Sequence, residues 1–187
     1  MRWSILCVAA ILGGCSTAES VFRDLPDNPG PCPSALTLYD AHRVVELTGQ
    51  PATIQSIGFT GEINGVRSLC RYYDSQPIIA NLEIDFGFGR GPAAQGSEHT
   101  YTYFVAVTRT DRVVLHREEF PIRVRFDAGE DRIYMTEEID SISIPRASET
   151  TSGSNFEIIV GFVLTDEQLQ WNREGQRFRV NAGQPED

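Results

Sequence analysis

The sequence predicts an all-β protein, an antiparallel immunoglobulin-like β-sandwich with one short C-terminal helix. Three observations support this fold: short segments in which apolar and polar residues alternate, turn signals between these segments, and few stretches with helical periodicity. About seven or eight strands at such spacing are typical of a sandwich. The chain has 187 residues, 41% of them hydrophobic and 10% aromatic, which is enough to form one domain with a core.

The first strands are predicted on either side of Asn64-Gly65. Residues 57–63 alternate between apolar and polar, Asn64-Gly65 suits the two positions of a type I′ turn, and residues 66–74 lead back. This pattern predicts a hairpin. Residues 78–88 then alternate between an apolar and an acidic face. Closely spaced glycines around residues 87–91, followed by proline, predict the end of that strand.

Four further segments complete the predicted strands. Residues 101–108 are apolar on both faces, which is typical of a central strand. Residues 113–126 follow a turn, and their second half alternates clearly. Residues 133–144, with a bulge predicted at Glu137-Glu138, and residues 156–164 are the last long strands.

One helix is predicted near the end of the chain. Thr165 and Gln168 have the spacing of a capping box, and the apolar Leu169 and Trp171 follow. A short strand is predicted at residues 177–180 and a disordered tail at residues 181–187.

The composition excludes several functions. All sixteen basic residues are arginine, so the sequence lacks the lysine of a phosphate-binding loop, a Schiff base or a lysine general base. The formal charge is -10, and an acidic chain lacks the positive field that draws proteins to nucleic acid. We therefore expect no nucleic-acid partner.

The N-terminal residues predict export. Residues 5–12 form an apolar run of eight residues, whereas a membrane span needs about 20, so residues 1–14 are predicted to be a signal peptide. The run ends in Leu12-Gly13-Gly14-Cys15, which resembles the lipobox of bacterial lipoproteins. This resemblance implies cleavage after Gly14 and lipid attachment at Cys15. The alternative is an ordinary secretory signal with a coincidental cysteine.

The lipobox resemblance also implies a location. Ser16, rather than aspartate, would be the second residue of the mature chain, and by this resemblance it favours the outer membrane over the inner one. We expect the domain on the periplasmic face. The membrane would then be contacted through the lipid anchor. Residues 15–31 contain several prolines and are predicted to be a flexible linker, followed by the sandwich domain at residues 32–180.

The remaining cysteines are predicted to form a disulfide. Cys7 falls in the signal peptide and Cys15 is the predicted lipidation site, which leaves Cys32 and Cys70. Export to an oxidising compartment favours their pairing. The alternative is a pair of free thiols.

No catalytic site, metal site or cofactor is predicted. His42, His99 and His116 are isolated in the sequence, so a zinc site would need ligands from distant segments. The acidic loop at residues 127–131 lacks the regular oxygen spacing of an EF-hand, although calcium remains an alternative there. The glycine-rich residues 87–91 lack the dinucleotide-binding pattern.

One segment is basic in this acidic chain. Between residues 109 and 125 the arginines outnumber the acids, and they are candidates for a patch that binds an acidic partner or anionic glycan. The alternative is cross-strand pairing with acids such as Glu83 or Asp85. The candidate patch consists of Arg109, Arg112, Arg117, Arg123 and Arg125.

Residues 103–107, 160–169 and 171–173 resemble an uncharacterised family of proteobacterial envelope lipoproteins, a resemblance that implies localisation but no activity. The first functional hypothesis is a non-enzymatic structural or adaptor component of an envelope protein assembly. The alternative is a periplasmic binding module for a small ligand or cell-wall glycan, and an enzyme ranks third. The binding module would use an aromatic groove formed by Tyr72, Tyr73, Tyr101 or Tyr103.

Overall fold

The computed structural model describes residues 30–49 and 52–175. Two four-stranded sheets, in the orders β1-β8-β5-β6 and β2-β3-β4-β7, pack on each other. The elements are β1 (Ser34–Thr37), β2 (Arg43–Leu47), β3 (Ile57–Arg71), β4 (Ile78–Arg90), β5 (Glu98–Arg109), β6 (Val114–Arg125), β7 (Arg132–Ile144), β8 (Phe156–Phe162) and the helix α1 (Asp166–Arg173). The predicted all-β sandwich with one short C-terminal helix is confirmed, whereas the immunoglobulin-like topology stays a prediction.

Aromatic rings join the two sheets through the core. The ring of Phe86 on β4 lies 5.1 Å from that of Tyr103 on β5 and 5.8 Å from that of Phe162 on β8. Phe88 and Tyr101 stack at 4.6 Å. Each fully buried aromatic side chain contributes about 1.5–3 kcal/mol relative to an exposed one, so these contacts hold the sheets face to face.

The predicted hairpin at Asn64-Gly65 is wrong. β3 continues through both residues, and its pairing with β4 shifts register between Ile63 and Gly65, so Asn64 is the extra residue of a β-bulge. Neither residue has the positive φ of a type I′ turn. The chain does not turn at Asn64-Gly65 because β4, a strand of 13 residues, pairs with both halves of β3.

The predicted end of β4 is confirmed, and the bulge in β7 needs correction. β4 runs through Gly87, where the missing Cβ leaves room for the Tyr134 ring, and ends at Arg90, directly before Gly91 and Pro92. The bulge in β7 lies after Glu137-Glu138, because Ala80 pairs with Ile142 and Leu82 with Ile139. Ser141 takes a φ of 62° there.

The sequence missed β1 and β2 and correctly predicted α1. β1 has four residues and pairs parallel with β8, and β2 has five, so both are too short for a clear alternation. The capping box of α1 is confirmed: the Gln168 backbone donates to Thr165 Oγ1 at 3.2 Å, and the Thr165 backbone donates to Gln168 Oε1 at 2.9 Å.

Several predictions lie outside the described residues. These are the signal peptide, Cys15, most of the linker, the strand at residues 177–180 and the tail. Within residues 30–49 and 52–175, no helix has the length and apolar character needed to cross a bilayer.

Candidate docking surface

A disulfide closes one side of the sandwich. Cys32 and Cys70 are bonded across 38 residues of sequence, as predicted, and they join the segment before β1 to the end of β3. Ser68 Oγ donates to the Pro33 carbonyl at 3.2 Å. Tyr72 Oη donates to the Pro31 carbonyl at 2.9 Å. These contacts therefore join the segment that leads into β1, a strand of one sheet, to β3 and the residues after it in the other sheet.

The helix covers the outer edge of β2. The side-chain amide of Gln168 donates to the Val45 carbonyl at 3.0 Å, and that of Asn172 donates to the Arg43 carbonyl at 2.9 Å. Gln168 and Asn172 are four positions apart and lie on one face of α1. Their amides occupy backbone acceptors that an additional strand would need.

The opposite side of the sandwich is open. β6 and β7 are the last strands of their respective sheets, and no further described strand pairs with either of them. Between them lies a cleft of about 400 Å³. Its apolar lining comes from both sheets and includes Val105, Val107, Phe120, Ile139 and Ile142.

The start of β6 exposes a run of apolar side chains. Val113, Val114 and Leu115 are 49%, 58% and 42% exposed, respectively, and Leu115 also lines the cleft. A long exposed edge strand with apolar side chains is a template for pairing with another chain, and proteins usually protect such edges.

Neighbouring hydrogen bonds show which backbone groups point outward from β6. The Thr102 carbonyl accepts from the Val163 N–H at 2.8 Å, so the backbone groups of Thr102 point to β8 rather than to β6. Pro121 pairs opposite Thr102, and its own backbone groups therefore face the free edge. Since proline has no N–H, it is tolerated at that position. By the two-residue alternation, Arg117 and Glu119 also direct their backbone groups to the free edge.

Three arginines of the candidate patch form ion pairs with nearby acids. Arg109 pairs with Asp111 at 3.2 Å, Arg117 with Glu119 at 2.5 Å, and Arg123 with Glu98. In the described part of the chain, no ion pair joins Arg112 or Arg125 to an acid.

The acids Glu83 and Asp85 do not pair with these arginines, since both bind Arg67 on β3. Pairing with acids therefore occurs, but with other acids than those expected from the sequence.

The tyrosines of the predicted aromatic groove are mostly buried. Tyr72, Tyr101 and Tyr103 are 1%, 3% and 2% exposed, and Tyr73 alone of the four is exposed. Burial raises the pKa of the Tyr101 hydroxyl, which donates to the Thr60 carbonyl at 2.9 Å. Burial, with the charge of Glu137, raises the pKa of Tyr103 to about 12. Tyr72, Tyr101 and Tyr103 are therefore core residues, and the four tyrosines do not form a ligand groove.

The three histidines lie apart. His42 Nδ1 is 2.6 Å from the Tyr39 carbonyl, His99 stacks on Phe59 at 4.7 Å, and His116 lies 3.8 Å from Glu118. The described residues contain no group of three or more His, Cys, Asp or Glu side chains placed to hold a metal ion. The acidic loop at residues 127–131 does not form such a group either.

Comparison with protein-family models, curated proteins and solved structures finds no match to this chain. The site must therefore be interpreted from its own geometry. One signal in the sequence points to it: Pro121 interrupts an alternating segment, and proline within a strand favours an edge position.

Proposed function

We propose that the chain is an exported lipoprotein, anchored through Cys15 at the periplasmic face of the outer membrane. It acts as a non-enzymatic adaptor in an envelope protein assembly and docks its partner on the open side of the sandwich, between β6 and β7. The observation that carries this proposal is the contrast between the two sides of the sandwich. One side is closed by a disulfide and a helix, and the other leaves two strand edges and an apolar cleft accessible.

The contrast matters because exposed edges carry a risk of aggregation. Proteins protect edges with charges, prolines, short strands or covering elements. This chain uses Pro121 in the second half of β6 and α1 on β2, yet the first half of β6 keeps Val114 and Leu115 exposed. An extended partner segment can add to such an edge through main-chain hydrogen bonds and place its side chains in the adjacent cleft.

The charge of the domain fits a lipid-anchored position. Each methylene of an acyl chain buried in the membrane contributes about 0.8 kcal/mol, and several chains give stable anchoring. The acidic chain is repelled by anionic headgroups at short range. The domain is therefore held near the membrane without lying on it, which leaves the open side accessible.

The anchor is tested with a Cys15→Ala variant of the full chain. We expect the wild type to carry acyl groups by mass spectrometry and to sediment with membranes, and the variant to lose both properties. A variant that still sediments with the outer membrane would contradict the lipid anchor.

The docking surface is tested by placing a photo-crosslinking amino acid at Leu115 of the full chain in cells. The matched control is position 69, because Leu69 is also exposed, at 77%, but lies on the other sheet. We expect one defined adduct from position 115 that is absent from position 69 and lost when Val114 is changed to Asp. Equal labelling from both positions, or none above background, would contradict docking at the open side.

A further inference from the structure

We infer that the free edge of β6 is self-complementary and pairs, antiparallel, with β6 of a second copy of this chain around a two-fold axis at Glu118. This inference goes beyond the proposed function, because it assigns a second copy to this edge. The second copy then covers the β6 edge and Leu115, and the β7 edge with the β7 side of the cleft is left in each copy for a different partner.

The backbone of β6 supplies the required hydrogen-bonding groups. From His116 onward, even-numbered residues of β6 bond to β5, a pattern that continues past the strand, where the Phe126 N–H donates to the Ser97 carbonyl at 2.8 Å. The backbone groups of Arg117 and Glu119 therefore point away from β5. Around an axis at Glu118, Arg117 lies opposite Glu119 of the second copy, as a hydrogen-bonded pair of an antiparallel ladder.

The side chains of this pair have opposite charges. Arg117 and Glu119 lie on the same face of β6, where their ion pair spans 2.5 Å and the guanidinium lies 4.6 Å from the centre of the Phe104 ring. Both side chains remain about half exposed, at 43% and 45%. In the dimer, Arg117 can also pair with Glu119 of the second copy, and Glu119 with Arg117 of the second copy. Opposite charges across a ladder are stabilising.

Neighbouring registers are less favourable. An axis at Glu119 would place that carboxylate opposite its own copy. An axis at Arg117 would place two guanidinium groups opposite each other. Like charges directly opposite on a ladder are destabilising, so charge selects the register centred on Glu118. In this register Pro121 lies opposite Leu115 of the second copy and offers only its carbonyl, so the hydrogen-bonded ladder is limited to Arg117 and Glu119.

The same register covers part of the exposed apolar run. Leu115, the extra residue of a β-bulge in the pairing of β6 with β5, comes to lie near Pro121 of the second copy. Water is thereby excluded from a side chain that is 42% exposed in the single chain. One contact opposes the dimer, because Glu118 lies opposite itself on the axis. Glu118→Gln is therefore expected to tighten the association.

The first experiment uses a cysteine on the axis, Glu118→Cys, in the full membrane-bound chain. Directly opposite residues of a non-hydrogen-bonded antiparallel pair have Cα atoms about 4.5 Å apart, within disulfide reach. The matched control is Arg123→Cys on the same edge, whose two copies would lie about 30 Å apart. We expect a covalent dimer from Glu118→Cys on mild oxidation and none from Arg123→Cys.

The second experiment exchanges charges in the purified full chain and follows its mass by analytical ultracentrifugation. Arg117→Glu and Glu119→Arg each place like charges across the axis, and each should weaken the dimer at least about tenfold. A mixture of the two variants makes every cross-axis pair opposite again, so we expect heterodimers. Glu118→Gln should associate more tightly than the wild type.

The outcomes separate this inference from the proposed function. If Glu118→Cys gives no covalent dimer and mixing restores nothing, the second copy is the wrong occupant, and docking is then decided by the adduct at position 115. If the dimer forms, Leu115 is covered by the second copy, and a photo-crosslinking amino acid at Ser141, on the β7 side of the cleft, decides the adaptor function. No adduct to a different protein from that position would contradict the adaptor function while the self-pairing stands. Equal crosslinking of Glu118→Cys and Arg123→Cys would also overturn the inference.

Discussion

The side-chain amide of Asn172 donates a hydrogen bond to the backbone carbonyl of Arg43 at 2.9 Å and another to that of Asp40 at 2.8 Å. Asn172 is 5% exposed and lies on the helix that follows the last strand. These bonds attach α1 to the edge of β2. The helix therefore protects this strand edge.

Replacing Asn172 by Ala should destabilise the fold by about 1–3 kcal/mol, because two backbone carbonyls lose a partner where water has little access. Urea unfolding followed by tryptophan fluorescence measures the change. The matched control is Gln170→Ala on the exposed face of α1, whose amide donates to Glu174 Oε1 within the helix. Equal effects of the two changes would contradict the role of Asn172 at the β2 edge.

Removing the disulfide with Cys32→Ser and Cys70→Ser together should lower stability by about 4 kcal/mol, the loop-closure entropy for a closed loop of this length. The separation of 38 residues sets that magnitude. Thermal unfolding of the wild type with and without reductant, beside the double variant, provides the measurement. Reductant should shift the wild type to the midpoint of the variant and leave the variant unchanged. A wild type insensitive to reductant would contradict this prediction.

His99 should make stability depend on pH. Burial lowers the pKa of its imidazole, and the nearby Glu46 only partly opposes the shift. The unfolded chain therefore takes up a proton near pH 6.5, whereas the folded chain does so at lower pH, so stability is lost as pH falls below about 6.5. Unfolding free energies between pH 4.5 and 8 measure this loss.

His99→Phe keeps an aromatic ring against Phe59 and removes the titrating group, so it should flatten the pH profile. His116→Gln is the control, because the His116 side chain is 70% exposed. A profile that His99→Phe leaves unchanged would show that other groups cause the pH dependence.

Changing Arg123 and Arg125 to Glu tests the candidate arginine patch. Arg123 forms an exposed ion pair with Glu98, and Arg125 lies directly opposite that residue. We expect a loss of less than about 1 kcal/mol and an unaltered set of partners captured in envelope pull-downs, since the proposed docking surface lies before Pro121. Loss of those partners would instead support a binding role for these arginines.

The sequence predicted the features that depend on near neighbours. Thr165 and Gln168 identified the start of α1, and the alternation in residues 78–88 identified β4 and its buried face. Asn64-Gly65 misled the prediction because the same residue types suit a tight turn and a bulge. The presence of a long partner strand decides between these two structures, and it cannot be deduced from the dipeptide.

The open side could not be predicted in the same way. Which strands lie at an edge depends on pairing between distant segments, such as the parallel contact of β1 with β8. Tyr101 and Tyr103 illustrate the same difficulty, because a tyrosine pattern is compatible with a ligand groove and with a core until the facing sheet is known. Pro121 was the local indication of an edge.

The disulfide also determines how the domain responds to force. A pull on the chain before Cys32 would reach β3 through the bond to Cys70 before it could peel β1 away from β8. β3 has 15 residues and is paired along its length with β4, so the load is distributed over the central pair of one sheet. The disulfide thus makes the domain mechanically strong at Cys32, where tension from the preceding chain enters it.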